Sequence, residues 1–257
     1  MFQDERVISI MQYLKENKRI TVDEICQRFD VSRDTARRDI VKLEEQGKII
    51  RVRGGAILPT LSKEMPNFKE RLQMDTEVKK AIGKLASTLI HDGDYLYISS
   101  STTTRYTVEF MNSKQNVVIT NSIDLASLLV EKEGITIHML GGKLFNEHGF
   151  VYGTKAIEML SQYYVDKLFI GTCGITKDGL SSLFEEESYL IREAIQRADQ
   201  VIVLADHSKF GKREFHQMAG FEDIDLIITD KEPSPEIIEQ LQKYNVEILL
   251  ANDTEKN

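Results

Sequence analysis

The sequence is poor in the features that would tie it to a membrane, a disulfide scaffold or a metal. Among 257 residues there are two cysteines, Cys26 and Cys173, far apart and in no CxxC pair. Neither a disulfide framework nor a zinc site is expected, and the cytoplasm is the expected compartment. Four prolines, with 41% hydrophobic and 29% charged residues, exclude a collagen-like or disordered chain. No apolar run approaches the roughly 18 residues needed to cross a bilayer. The opening MFQDERVIS is acidic where a signal peptide would be basic and then apolar. No HExxH, P-loop or nucleophile motif occurs, so neither a resident metal nor a cofactor is expected.

Charge is unevenly placed. The net charge is −8, yet residues 1–57 carry 12 Lys+Arg against 10 Asp+Glu, a slightly basic head on an acidic body. Pro59 and Pro66 bracket ILPTLSKEMPNF, which has no convincing period. The expected division is a head over 1–57, a linker over 58–75 and a body over 76–257.

In the head, Val7, Ile10, Met11 and Leu14 recur at helical spacing. Thr21 opens a second helix, with Glu24 three residues on to complete a capping box. Ser32 caps a third after a short turn, with Ala36, Ile40 and Leu43 on one face and Gly47 at its end. KIIRVRGGAI then reads as a small strand pair. Three helices and a wing of strands describe a winged helix-turn-helix, whose third helix enters the major groove of DNA by its N-terminal end. Arg33 and Arg37 form an i,i+4 row there, beside Ser32 and Thr35 and off the apolar stripe. They are the expected base-reading pair. Arg51 and Arg53 on the wing, with Lys42 and Lys48, are expected on phosphates. Arg38 follows Asp34 by four residues, so a local ion pair competes with DNA contact for it.

From about residue 76, β-rich runs alternate with helical stretches: YLYIS (95–99), NVVIT (116–120), ITIHML (135–140), KLFIG (167–171), QVIVLA (200–205) and DLIIT (225–229). Alternation of this kind predicts a mostly parallel α/β sheet, whose ligands bind outside the carboxyl ends of the strands. Those ends carry Ser99, Ser100 and Ser101 running into Thr102 and Thr103, then Thr120, Asn121 and Ser122, then Gly141 and Gly142, and later Asp206 and Lys209. Hydroxyls and free backbone N–H groups opening a helix suit a phosphate. Each group alone reads as a cap or a turn; together, at successive strand ends, they read as a pocket.

The stretch ITVDEICQRFDVSRDTARRDIVKLEEQGKIIRVRGGAI resembles the DNA-binding domain of the DeoR/GlpR family of bacterial transcriptional regulators. Ala36 stands where that family usually has a larger aliphatic residue. The body resembles the family's sensor domain, similar in fold to ribose-5-phosphate isomerase, through STT (101–103), TNS (120–122), LGG (140–142), VDKLFIG with Gly174, the segment from Glu187 to Arg192, ADHSKFG (205–211) and LIITD (226–230). It departs at Ser99–Ser101, where the family pattern is Asp-Ser-Gly, and at Ile191, often a lysine; both bear on which sugar fits. The resemblance implies a homo-oligomeric regulator that holds double-stranded operator DNA and lets go when a small phosphorylated sugar binds, with Glu187 and Arg192 joining the pocket. The rival is a sugar-phosphate isomerase-like enzyme with an accessory DNA-binding domain. Asp206, Glu187 and Lys209 could move protons, but a pocket that reads sugar hydroxyls needs the same residue types.

Overall fold

The computed structural model describes residues 3–17, 19–45, 48–58 and 65–251. The chain separates into two units, Met1–Met65 and Pro66–Asn257. Gly47 and Pro59 lie outside the described residues.

The first unit runs α1 (Gln3–Asn17), β1 (Arg19–Thr21), α2 (Val22–Phe29), α3 (Arg33–Glu45), β2 (Ile50–Val52) and β3 (Gly55–Ile57). Val7, Ile10 and Leu14 of α1 meet Ile25 of α2 and Ala36, Ile40 and Leu43 of α3 in one apolar core. The capping box at Thr21 forms, with Glu24 N donating to the Thr21 hydroxyl and the Glu24 carboxylate accepting from Thr21 N. The expected strand pair is part of a three-stranded antiparallel sheet in the order β1-β3-β2, because Arg19–Thr21 adds an edge that its length conceals in the sequence.

An acidic side chain on α3 has a structural task. Asp39 is fully buried and accepts from Arg6 of α1 at 2.5 and 3.1 Å, with Gln3 adding a third donor. The Arg-Arg-Asp run of α3 therefore faces two ways: its arginines outward, its aspartate into the joint with α1.

The second unit opens with α4 (Phe68–Gln73) and α5 (Thr76–Ser87), then β4 (Tyr95–Ile98), α6 (Thr102–Phe110), β5 (Val117–Thr120), α7 (Ile123–Val130) and β6 (Thr136–Met139). It continues through β7 (Lys143–Phe145), β8 (Phe150–Tyr152), α8 (Thr154–Leu160), β9 (Val165–Gly171), β10 (Gly174–Thr176), β11 (Gly179–Ser182) and α9 (Glu185–Ile195). It ends with β12 (Ala198–Leu204), β13 (His216–Ala219), β14 (Leu226–Thr229), α10 (Pro235–Lys243) and β15 (Glu247–Leu250). The α4 helix falls within the stretch read from the sequence as linker, and it belongs to the second unit.

Seven strands pair in parallel in the order β15-β14-β12-β9-β4-β5-β6. Both faces are covered, which is why the strand sequences read as unbroken apolar runs. Tyr97, Leu168, Ile170, Val201 and Val203 pack on one side with Leu190 of α9 and Leu241 of α10. Leu96, Ile98, Phe169, Ile202 and Leu204 pack on the other with Ile82 of α5, Val108 of α6 and Leu125 of α7. From β4 the chain winds outward to β6; from β9 it winds the opposite way to β15. The order therefore reverses between β4 and β9, the switch point at whose carboxyl ends sheets of this kind bind their ligands.

Candidate functional site

At the head, Ser32 Oγ accepts from Thr35 N at 3.2 Å and lies 3.0 Å from Thr35 Oγ1, so the two hydroxyls fix the start of α3. Arg33 pairs with Asp23 of α2 at 2.6 Å, both side chains about two-thirds exposed. Arg37 lies 3.9 Å from Asp34, and Arg51 of β2 lies 3.5 Å from Glu44. Exposed pairs of this kind contribute about 0–1 kcal/mol, so DNA can displace them at little cost. A groove of about 260 Å³ runs between the starts of α2 and α3 and the β2–β3 turn, and Arg33, Arg37 and Arg51 line it with Asp23 and Gly54. Arg53 stands exposed at that turn. Arg38 and Lys42 border a different depression beside Gln3, on the flank towards α1. The pair expected between Asp34 and Arg38 does not form; among the described residues Asp34 neighbours Arg37, three positions on instead of four.

In the body, the expected pocket residues divide by what their polar atoms already do. Ser101 caps α6, accepting from Thr104 N, and Thr104 bonds back to Ser99 O. Thr120 Oγ1 donates to Ile98 O, and Ser122 Oγ accepts from Leu125 N to cap α7. Asn121 bridges, accepting from Ser100 N at 3.0 Å and donating to Val151 O. These groups brace the loops. The side-chain hydroxyls of Ser99, Ser100, Thr102 and Thr103 make no hydrogen bond among the described residues; the residues are largely buried, but these oxygens keep some exposure.

Two glycines keep the loops close. A Cβ on Gly171, at the end of β9, would lie 2.5 Å from Ser101 Cβ, so β9 can approach the hydroxyl loop only without a side chain. Gly142, at φ +154°, would meet Tyr152 O at 2.5 Å, which lets the β7–β8 hairpin fold back over the strand ends. Gly141 is exposed and unobstructed.

After β12, Asp206 is buried and accepts from Ser208 N at 2.8 Å; its other carboxylate oxygen has no hydrogen bond among the described residues and faces Lys209 Nζ at 3.8 Å. Burial works to raise the Asp206 pKa, but Lys209, Ser208 and Lys79 outweigh it and hold the carboxyl below its ordinary range. Lys79 of α5 is itself buried, donating to Arg71 O and Met74 O at 2.6 Å each. Burial first, then the charge of Lys209, lowers its pKa. Glu187, in the first turn of α9, accepts from Ser182 Oγ at 2.7 Å; burial raises its pKa against the pull of Ser182 and Arg71.

Arg192 departs from the expected pocket. Its guanidinium donates to Gln217 O and Met218 O of β13, which locks α9 to the small β10-β11-β13 sheet. Lys79 and Arg71 were not expected. The sequence did hold one signal for the helix that bears Arg71: Asn67 and Glu70 are spaced as a capping box, and the box forms.

A DeoR-like helix-turn-helix domain matches residues 6–61, and a DeoR C terminal sensor domain matches residues 74–231. Among solved structures the chain is similar to the tetrameric eIF2B-beta2-delta2 complex from C. thermophilum, at 16% identity and a TM-score of 0.46, covering 69% of this chain and 60% of that one. It is similar to ribose 5 phosphate isomerase A from Neisseria gonorrhoeae at 14% identity and a TM-score of 0.39, covering 58% and 57%. The HTH-type transcriptional repressor GlcR of Bacillus subtilis (strain 168) is 49% identical over 255 residues, 99% of each chain. The putative aga operon transcriptional repressor of Escherichia coli O157:H7 is 32% identical, covering 97% of this chain and 94% of that one. The glycerol-3-phosphate regulon repressor of Escherichia coli (strain K12) is 30% identical, covering 98% and 100%. Each family match falls largely on its own unit of the structure, and the repressors run the length of the chain, so this protein belongs to the DeoR family of DNA-binding transcriptional regulators and is a regulator, not an enzyme.

Proposed function

We propose that the protein is a repressor of a sugar-utilisation operon that leaves its operator when a small phosphorylated sugar fills the crevice at the ends of β4 and β9. The observation that carries this reading is the set of partly exposed hydroxyls of Ser99, Ser100, Thr102 and Thr103, without hydrogen bonds among the described residues and placed where the first N–H groups of α6 open. An oxyanion there accepts from hydroxyls and helix N–H groups together. Lys209 and Lys79, gathered around Asp206 after β12, supply positive charge to the same end of the sheet. The Escherichia coli relative named for a glycerol-3-phosphate regulon supports a phosphorylated effector. On the DNA side, Arg33 and Arg37 read bases while Arg51 and Arg53 hold phosphates. A homo-oligomer, dimer or larger, is part of the proposal, since such heads read paired half-sites.

The experiment is a gel shift at fixed salt with matched free and phosphorylated pentoses and hexoses. A phosphorylated sugar should release the operator where the free sugar and equal sulfate do not. Replacing Thr102 and Thr103 together by Val keeps the shape and removes two donors, so effector affinity by calorimetry should fall while operator binding persists. Release by sulfate alone, or undiminished effector affinity in the double variant, refutes the reading.

A further inference from the structure

The stretch over 66–75 carried no expected site residue, yet α4 delivers a guanidinium into the body. Arg71 Nη2 lies 3.4 Å from His148 Nδ1, and Arg71 Nε is buried with no hydrogen-bond partner among the described residues. Among the described residues no carboxylate pairs with Arg71; the groups that act on its charge across a gap are Cys173, just past β9, and Glu187. Glu187 also acts on Tyr97 of β4, whose buried hydroxyl has no partner either. Phe145, His148, Phe150 and Phe184 stack beside these groups, with ring centroids 4.7–6.5 Å apart. A half-buried guanidinium, a carboxyl and two buried donors unpaired among the described residues therefore share one apolar-walled neighbourhood. It adjoins the hydroxyl loop, because Gly171 touches Ser101 and Cys173 follows two residues later. Buried donors left unpaired are costly, and a polar ligand completes them.

We propose that Arg71 is an effector-binding residue: with Glu187 it holds the end of the sugar remote from the hydroxyl loop, Arg71 donating to a sugar oxygen and Glu187 taking a hydroxyl proton in hydrogen bonding. This rests on the reading of the crevice as a sugar-phosphate site. It also gives the contact a consequence. α4 is the first element after residue 65, where the two units part. It is held by Phe68 N donating to Glu147 O and by Lys79 capping its last turn. A ligand that bonds Arg71 only when α4 is docked binds that arrangement more tightly and fixes the segment that leads to the DNA-binding unit.

The test uses the full chain, as wild type, Arg71→Met and Arg71→Lys, with glucose 6-phosphate, fructose 6-phosphate, ribose 5-phosphate and glycerol 3-phosphate. Calorimetry gives affinity, a gel shift gives operator release, and hydrogen exchange follows residues 66–75. For a compound that binds the wild type, Arg71→Met should weaken binding about tenfold or more, the loss of one charge-assisted hydrogen bond. Arg71→Lys should restore part of it. Operator affinity without effector should be unchanged in both variants, and exchange over 66–75 should slow on binding in the wild type alone. Equal affinity in wild type and Arg71→Met, or unaltered exchange over 66–75 at saturation, overturns the role of Arg71 and leaves the crevice reading standing. If no compound binds the wild type, the crevice reading falls and this inference with it.

Discussion

The two units place their working surfaces in opposite ways. In the head, the surface is the outside of one helix, and its cations are exposed and loosely paired: Arg33 with Asp23, Arg37 near Asp34, Arg51 near Glu44. In the body, the polar groups sit at strand ends under cover: Thr120 and Asn121 are bonded to segments 21 to 30 residues away, while the hydroxyls of Ser99, Ser100, Thr102 and Thr103 make no hydrogen bond among the described residues. A surface helix can give up weak pairs to a large polyanion with little reorganisation. A site under cover is best built for its ligand beforehand, because polar groups fixed in place cost no reorganisation when the ligand arrives. In the proposed reading the head is an open contact surface and the body a prepared site, and substitutions should behave differently in each.

The largest expected effect breaks the head itself. Asp39→Ala removes the fully buried carboxylate that accepts from Arg6 and Gln3. Removing one member of a buried pair costs about 3–5 kcal/mol; the low end applies here, since the head is small and water is near. Denaturant unfolding of the full chain should show a destabilised first transition, with operator binding lost and sugar-phosphate affinity kept. Loss of both together would contradict the independence of the two surfaces. Arg37→Ala, two residues earlier on the exposed side of α3, should leave stability unchanged within about 0.5 kcal/mol. It should lower operator affinity by about 1–3 kcal/mol and relax base preference near its contact. An unchanged footprint would remove α3 from the groove. Smaller again, Arg53→Ala should weaken all DNA sequences alike and reduce the salt slope by about one unit. A sequence-selective loss would move Arg53 from phosphate to base contact.

The same contrast decides what could be read from the sequence. The head was legible because helical period assigns each side chain to a face: Ala36, Ile40 and Leu43 inward, Arg33 and Arg37 outward, as found. Asp39 escaped, since a charged residue between apolar positions reads as solvated until its partner 33 positions away is known. In the body, the parallel sheet followed from its apolar runs, but the small β10-β11-β13 sheet and the β7–β8 hairpin did not, their strands being three or four residues long. Ser99, Thr102 and Asn121 look alike as polar residues at strand ends. Only the fold shows that Asn121 is taken up 21 and 30 residues away while the Thr102 hydroxyl makes no hydrogen bond among the described residues. Arg71 lay in a helix of six residues, too short to display a period.

The smallest expected effect separates two titrating groups in the body that oppose each other over one pH range. His148 is buried beside Arg71; burial first, then that positive charge, lowers its pKa below the ordinary 6.5, with Glu147 pulling the other way. As pH falls below 6.5 the unfolded chain takes up a proton that the folded body refuses. The stability His148 contributes is therefore present above 6.5 and lost on acidification. Glu187 runs the opposite course: burial raises its pKa above the ordinary 4.5, so the folded body keeps a proton that the unfolded chain releases. Its contribution is present below 4.5 and lost as pH rises through the raised value. Between these limits the two slopes partly cancel, and a flat profile in the wild type is no evidence that either group is unperturbed. Single variants uncover them. Melting of the body followed from pH 4.5 to 6.5 should rise with pH more steeply in Glu187→Gln than in wild type, and less steeply in His148→Gln. If His148→Gln left the slope unchanged, the histidine would titrate as it does in water, and the desolvated pocket argued from its neighbours would have to be open to solvent, like the surface of the head.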